Sequence, residues 1–144
     1  MQHLAIMNKS WGLLPKIVSG QKTIELRWYA HRVAPWDRIK TGELVYFKNS
    51  SEPVTVRATV SKVLQFADMT PARVKILLEE YGQADGIIES DFSTYYERFK
   101  NKHYCILIFL RDVRPVEPFK IDKTGFGAMS AWITTPSIEA LRLV

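Results

Sequence analysis

The chain has 144 residues, 47% of them hydrophobic and 24% charged, with a net charge of +5 and a pI near 9.4. That is ordinary globular composition, with enough chain for one domain over residues 1–144 to bury a core of its own. No apolar run approaches the roughly 18–20 residues of a bilayer span, and the lone Cys105 excludes an internal disulfide, while three histidines at no ligand spacing argue against structural zinc.

No metal or cofactor is therefore expected, and no membrane association. The start, Met1-Gln2-His3-Leu4, shows no basic segment leading into an apolar one, so a reducing, cytoplasmic location is the expectation. The modest positive charge suits nucleic acid or an anionic metabolite. Its distribution is uneven. Lys16, Lys22, Arg27, Arg32, Arg38, Lys40 and Lys48 fall in the first third, whereas Glu79, Glu80, Asp85, Glu89 and Asp91 come later.

Taken in chain order, His3 to Met7 reads as a first strand. Ser10 to Ser19 reads as a short helix, with Ser10 as N-cap, Gly20 in the left-handed closing position, and Trp11, Leu14, Ile17 and Val18 facing the core. Lys22–Trp28 is the second strand. A loop rich in aromatics and cations follows through Tyr29, His31, Arg32, Trp36 and Asp37. The turn Thr41-Gly42 leads into a third strand at Glu43–Lys48. After a hairpin-like connection at 49–53, Val54, Val56, Ala58 and Val60 alternate with Thr55, Arg57, Thr59 and Ser61, the period of a half-buried strand.

The middle of the chain is helical. Thr70 caps a helix with Pro71 at its first position, and Val74, Leu77, Leu78 and Tyr81 repeat at helical spacing up to Gly82. A second helix, about Asp91 to Phe99, carries Phe92, Tyr95, Tyr96 and Phe99 on one side. The unbroken apolar run Tyr104–Leu110 predicts a central strand covered on both faces, continued or paired by 111–119. A glycine-rich turn then leads into a closing strand around Ala131-Trp132-Ile133, and Thr135-Pro136 opens a terminal helical turn. Strands dominate without sustained β-helix-β alternation, which argues for a mixed sheet or small barrel with helices at its ends.

The densest chemistry lies in Gly20-Gln21-Lys22-Thr23-Ile24-Glu25-Leu26-Arg27-Trp28. Strand alternation places Thr23, Glu25 and Arg27 on one face and Ile24, Leu26 and Trp28 on the other. Three crowded charges beside a helix C-terminus suit a phosphate or polar-base site. Arg27 can pair with Glu25 or fork onto a phosphate, and a desolvated Lys22 can serve as proton acceptor or nucleophile. The plain reading of the same residues is a solvated strand with a weak Glu25–Arg27 pair.

The spacing Gly20-x-Lys22-Thr23-x-Glu25-x-Arg27, followed by Gly42-Glu43-x-Val45-x-Phe47, resembles the ASCH domain, a PUA-like family. The resemblance is strongest over residues 10–65. It implies an α+β fold, a PUA-like small mixed β-barrel with helices packed at its ends. It also implies binding of RNA or a modified nucleoside in the cleft around Lys22, Glu25 and Arg27. The alternative it implies is an amidohydrolase that deacylates acetylated cytidine-type nucleosides, and a ribonuclease activity is also associated with the family. In the hydrolase reading Lys22 is catalytic with Glu25, which stands where the deacylating members carry threonine. Glu80 or Glu89 is then the candidate for a distal acid.

Beside the motif, Trp28, Trp36, Arg32, Arg38 and Lys48 are candidate binding residues, since bases stack on aromatic faces and cations neutralise a phosphate backbone. One tryptophan in the core and one near the cleft is the expectation. Gly125, Gly127 and Ser130 read as a tight turn rather than a phosphate loop. His103 reads as a polar residue at a strand start. Oligomeric state is not legible.

Overall fold

A computed structural model describes residues 1–143. Six strands form one mixed sheet: β1 (Gln2–Met7), β2 (Ile24–Tyr29), β3 (Leu44–Asn49), β4 (Val54–Phe66), β5 (Tyr104–Phe119) and β6 (Trp132–Thr135), in the order β2-β5-β4-β3-β1-β6. Only β1 and β3 run parallel; every other neighbour pair is antiparallel. The sheet curls into a half-barrel whose two edges are β2 and β6. The helices are α1 (Leu13–Ser19), α2 (Pro71–Tyr81) and α3 (Phe92–Phe99).

Local chemistry accounts for most boundaries. Thr70 accepts from the Arg73 amide and Pro71 fills the first position of α2, which satisfies orphan donors and needs none from proline. Gly20 closes α1 at φ 86, a conformation glycine adopts without Cβ strain. The start of that region differs from expectation. Asn8, not Ser10, caps a 3-10 turn at Lys9–Trp11, and Gly12 at φ 66 separates it from α1. The helix is thereby rotated so that Leu13, Leu14 and Ile17 are buried while Val18 is 58% exposed.

Register sorts the side chains into two faces. On the inner face Ala5, Val45, Phe47, Val56, Val60, Ile106 and Ile108 pack beneath α1. On the outer face Ile24, Leu26, Cys105 and Leu107 lie under α2 and α3, meeting Val74, Leu77, Leu78 and Tyr95. At the other end of that outer face Leu4, Tyr46, Val54, Phe119 and Ile133 are covered by the C-terminal segment through Ile138. β5 is thus buried on both faces over its first half, as its unbroken apolar run requires. It then continues as a single strand to Phe119 rather than turning back.

Candidate functional site at the β2 edge

β2 is an edge strand, and its outward amides find partners in the turn that follows α2. The Ala84 carbonyl accepts from the amides of Thr23 (2.8 Å) and Ile24 (3.2 Å), and the Asp85 carboxylate accepts from the Leu26 amide at 3.1 Å. Asp85 therefore substitutes for a neighbouring strand. Gly86, at φ 87, lets this turn lie against the motif, where a Cβ would sit 3.2 Å from both Lys22 Cβ and Lys16 Cδ. The Lys16 ammonium in turn donates to the Gly86 carbonyl at 2.6 Å.

Lys22 is not on a solvated strand, nor within β2; it is buried just before it. Its ammonium donates to the Ile24 carbonyl (2.7 Å), to the Asp85 carbonyl (2.9 Å) and to the Asp85 carboxylate. Glu25 Oε1 lies 3.4 Å away and is likewise buried. One ammonium thus faces two carboxylates, and Arg27 supplies the second cation, 3.7 Å from Glu25 Oε2. Burial, with the Glu25 charge adding to it, pushes the Asp85 carboxyl up to about 7 despite Lys22 beside it.

Arg27 also spans the open seam of the half-barrel. Its guanidinium donates to the carbonyls of Ile6 (3.3 Å) and Ala131 (3.4 Å), touches Met7 Sδ, and lies over the Trp132 ring at 5.3 Å. Beneath that ring is a buried polar link. The Trp132 indole donates to His3 Nδ1 at 3.2 Å, and His3 Nε2 meets Glu43 at 2.9 Å. Burial lowers the His3 proton affinity, and the acceptor role of Nδ1 fits a neutral ring.

Between β1, β2 and α3 lies a partly open cavity of about 200 Å³, lined by Glu25, Arg27, Trp28, Tyr29, Asp85 and Phe99 among others. Three of the lining residues carry a buried polar atom with no hydrogen-bond partner: Glu25 Oε2, Trp28 Nε1 and the Tyr29 hydroxyl. Natural interiors rarely leave such groups unmatched. Burial pushes the Tyr29 phenol up, so it remains a protonated donor. Aromatic contacts back the wall: Trp28 stacks on Phe99 with centroids 5.4 Å apart, and Arg98 lies over the Trp11 ring at 4.3 Å.

The structure brings together Lys22, Glu25, Arg27 and Trp28 from the sequence-derived set. Lys22, although paired with Glu25 and Asp85, does not line the cavity, and neither do Arg32, Trp36, Arg38 and Lys48. Trp36 instead packs edge-on against Tyr104 with Arg32 over both rings. Glu80 and Glu89 are exposed, and the acid that pairs with Lys22 is Asp85. Asp85 and Tyr29 were absent from that set. The signal for the first was the Ala84-Asp85-Gly86 turn just past a helix end, but nothing local ties it to a lysine 63 residues away. Among the described residues no group of three His, Cys, Asp or Glu could hold a metal, and no helix is long and apolar enough to cross a membrane.

This architecture recurs in solved structures. The ASCH protein of Zymomonas mobilis superimposes with a TM-score of 0.68 at 19% identity, covering 96% of this chain and 90% of that one. The fold is that of an ASCH domain. A point variant of the Zymomonas protein gives the same TM-score at 18% identity. The N-terminal domain of Staphylothermus marinus McrB superimposes more distantly, at TM-score 0.51 and 15% identity over 81% of this chain and 75% of that one. No family model and no curated protein matches the chain. The ASCH likeness therefore speaks to fold alone.

Proposed function

We propose that this chain binds single-stranded RNA or a modified nucleoside, seating one base in the cavity beside Glu25, Arg27, Trp28 and Tyr29. The carrying observation is that three residues lining one cavity each hold a buried polar atom without a hydrogen-bond partner. A carboxylate oxygen asks for an N–H, while an indole N–H and a phenol offer donors. A cytosine edge presents that combination, its amino group to the carboxylate and its carbonyl or ring nitrogen to the donors. The volume, about 200 Å³, is below the 300–1,000 Å³ or so of pockets for drug-sized ligands and suits a single base. Reading a base in this way requires it to be unstacked, which favours single strands or free nucleosides.

A second reading, an amidohydrolase on acetylated cytidine, is favoured by one feature: a buried lysine shares its surroundings with a carboxyl whose proton affinity lies near neutrality. In that reading Glu25 or Asp85 moves the proton. Lys22 would first have to release a backbone carbonyl, because its three N–H bonds are already directed at Ile24 and Asp85.

The test is calorimetric titration of the protein with cytidine and with acetylated cytidine, alongside chromatography of the acetylated mixture for released cytidine. Binding without release supports the recognition module, and release supports the hydrolase. Absence of binding to either nucleoside and to a short single-stranded RNA overturns both.

A further inference from the structure

The outer face of the sheet is covered at one end by α2 and α3 and at the other by the C-terminal segment. Between them the middle of β4 and β5 carries cations. In register, Arg57 lies opposite Arg114, Thr59 opposite Arg111, and Lys62 opposite Phe109. Simple alternation would send Arg111 and Arg114 to opposite faces. An extra β5 residue, Asp112 at φ 52, forms a bulge between these rungs and restores both to one side. Leu110 and Val113 are correspondingly both turned to the inner core. A second shift between Val60 and Lys62 keeps Lys62 on the outer side, with its ammonium 5.3 Å from the Phe109 ring centroid.

Two irregularities thus align four cations on three successive rungs. Among the described residues Arg57 and Arg114 make no ion pair, while Arg111 is held by Asp112 at 2.6 Å. Directly opposed like charges destabilise a strand pair, so this arrangement costs stability unless an anion sits between them.

We infer that this strip on β4 and β5 is a second binding surface, which grips the phosphate backbone of a single-stranded nucleic acid. Rungs two residues apart repeat every 7 Å or so, a spacing comparable to that of successive phosphates along an extended strand. Side chains directly opposite are about 5 Å apart at Cβ, close enough for Arg57 and Arg114 to fork onto one phosphate. That regular repeat and the guanidinium forks favour phosphates over the irregular carboxylates of an acidic protein. The strip is on the sheet face opposite Glu25, which pairs with inner-face Ile108, and its occupancy does not depend on the cavity binding a base.

The test uses the full chain, wild type and Arg57→Gln/Arg114→Gln, with fluorescence anisotropy of a labelled single-stranded RNA of about a dozen nucleotides at several salt concentrations. Losing the one phosphate that these two arginines share should lower the slope of log K against log salt by about 0.7 and weaken binding roughly tenfold at low salt. Cytidine titration should be unchanged, and the melting temperature equal or higher, because a repulsive pair has gone. An unaltered salt slope overturns the proposal, as does wild-type protein that fails to bind the RNA at low salt. Competition by polyglutamate as effective as that by unlabelled RNA would also overturn it, assigning the strip to an acidic protein instead. Loss of cytidine binding with the RNA slope retained in wild type would reject only the base-in-cavity reading.

Discussion

Replacing Lys22 by methionine keeps most of the side-chain volume and deletes the one ammonium that neutralises Asp85 and approaches Glu25. The side chain is fully buried, so no water replaces the lost donors to Ile24 and to Asp85. Removing one member of a buried ion pair leaves the other uncompensated and costs about 3–5 kcal/mol. For a chain of this length that corresponds to a melting temperature lower by about 10–15 °C. The loss should depend on pH in a definite sense. Asp85, already pushed up to about 7, rises further without Lys22, so at pH 8 the folded variant must either take up a proton from solution or bury an unpaired charge, whereas at pH 5 the carboxyl is neutral in both folded proteins. The destabilisation is therefore expected to be larger at pH 8. Adding Asp85→Asn should then recover part of the loss, because the stranded charge has gone. Circular dichroism melts of the wild type, Lys22→Met, Asp85→Asn and the double variant at both pH values measure this. A Lys22→Met protein melting within about 2 °C of wild type at pH 8, or a double variant with no recovery, would refute the buried-pair account. Loss of activity in a Lys22 variant is interpretable only beside this fold control.

Tyr29→Phe removes a buried hydroxyl that has no partner; stability should be unchanged or up to about 1 kcal/mol higher, while cytidine affinity falls up to about tenfold by titration, and a fall in both would make the hydroxyl structural. In the wild type, Asp85 binds its proton more tightly folded than unfolded (ordinary value 3.8). Between about pH 4 and 7 the folded chain keeps a proton the unfolded chain releases, so urea-melt stability attributable to this group should fall as pH rises through that window, and Asp85→Asn should flatten the slope. Gly86→Ala forces a side chain into a left-handed conformation 3.2 Å from Lys22 and should cost about 1–3 kcal/mol by denaturant titration; a neutral result would mean the turn relaxes away from the motif. Cys105 is buried, and burial pushes its thiol up, so labelling by a disulfide reagent should be negligible until denaturant unfolds the chain.

Periodicity and punctuation carried most of the architecture in the sequence itself. The alternation in 54–60, the apolar run 104–110 and the Thr70-Pro71 cap each act through neighbours within a few residues, so β4, β5 and α2 were legible where they lie. The spacing from Gly20 to Arg27 likewise marked the motif that borders the cavity. Tertiary structure decided the rest. Whether Glu25 and Lys22 met water or protein depended on the turn at Ala84–Gly86 closing over an edge strand, a contact across about 60 residues that no local pattern encodes. That closure made Asp85, not Glu80 or Glu89, the partner of Lys22. Bulges decided the outer face in the same way, because one extra residue at Asp112 reverses which side of the sheet Arg114 serves. Local chemistry chose the elements. Which charges were desolvated, and which faced one another, followed only from long-range pairing.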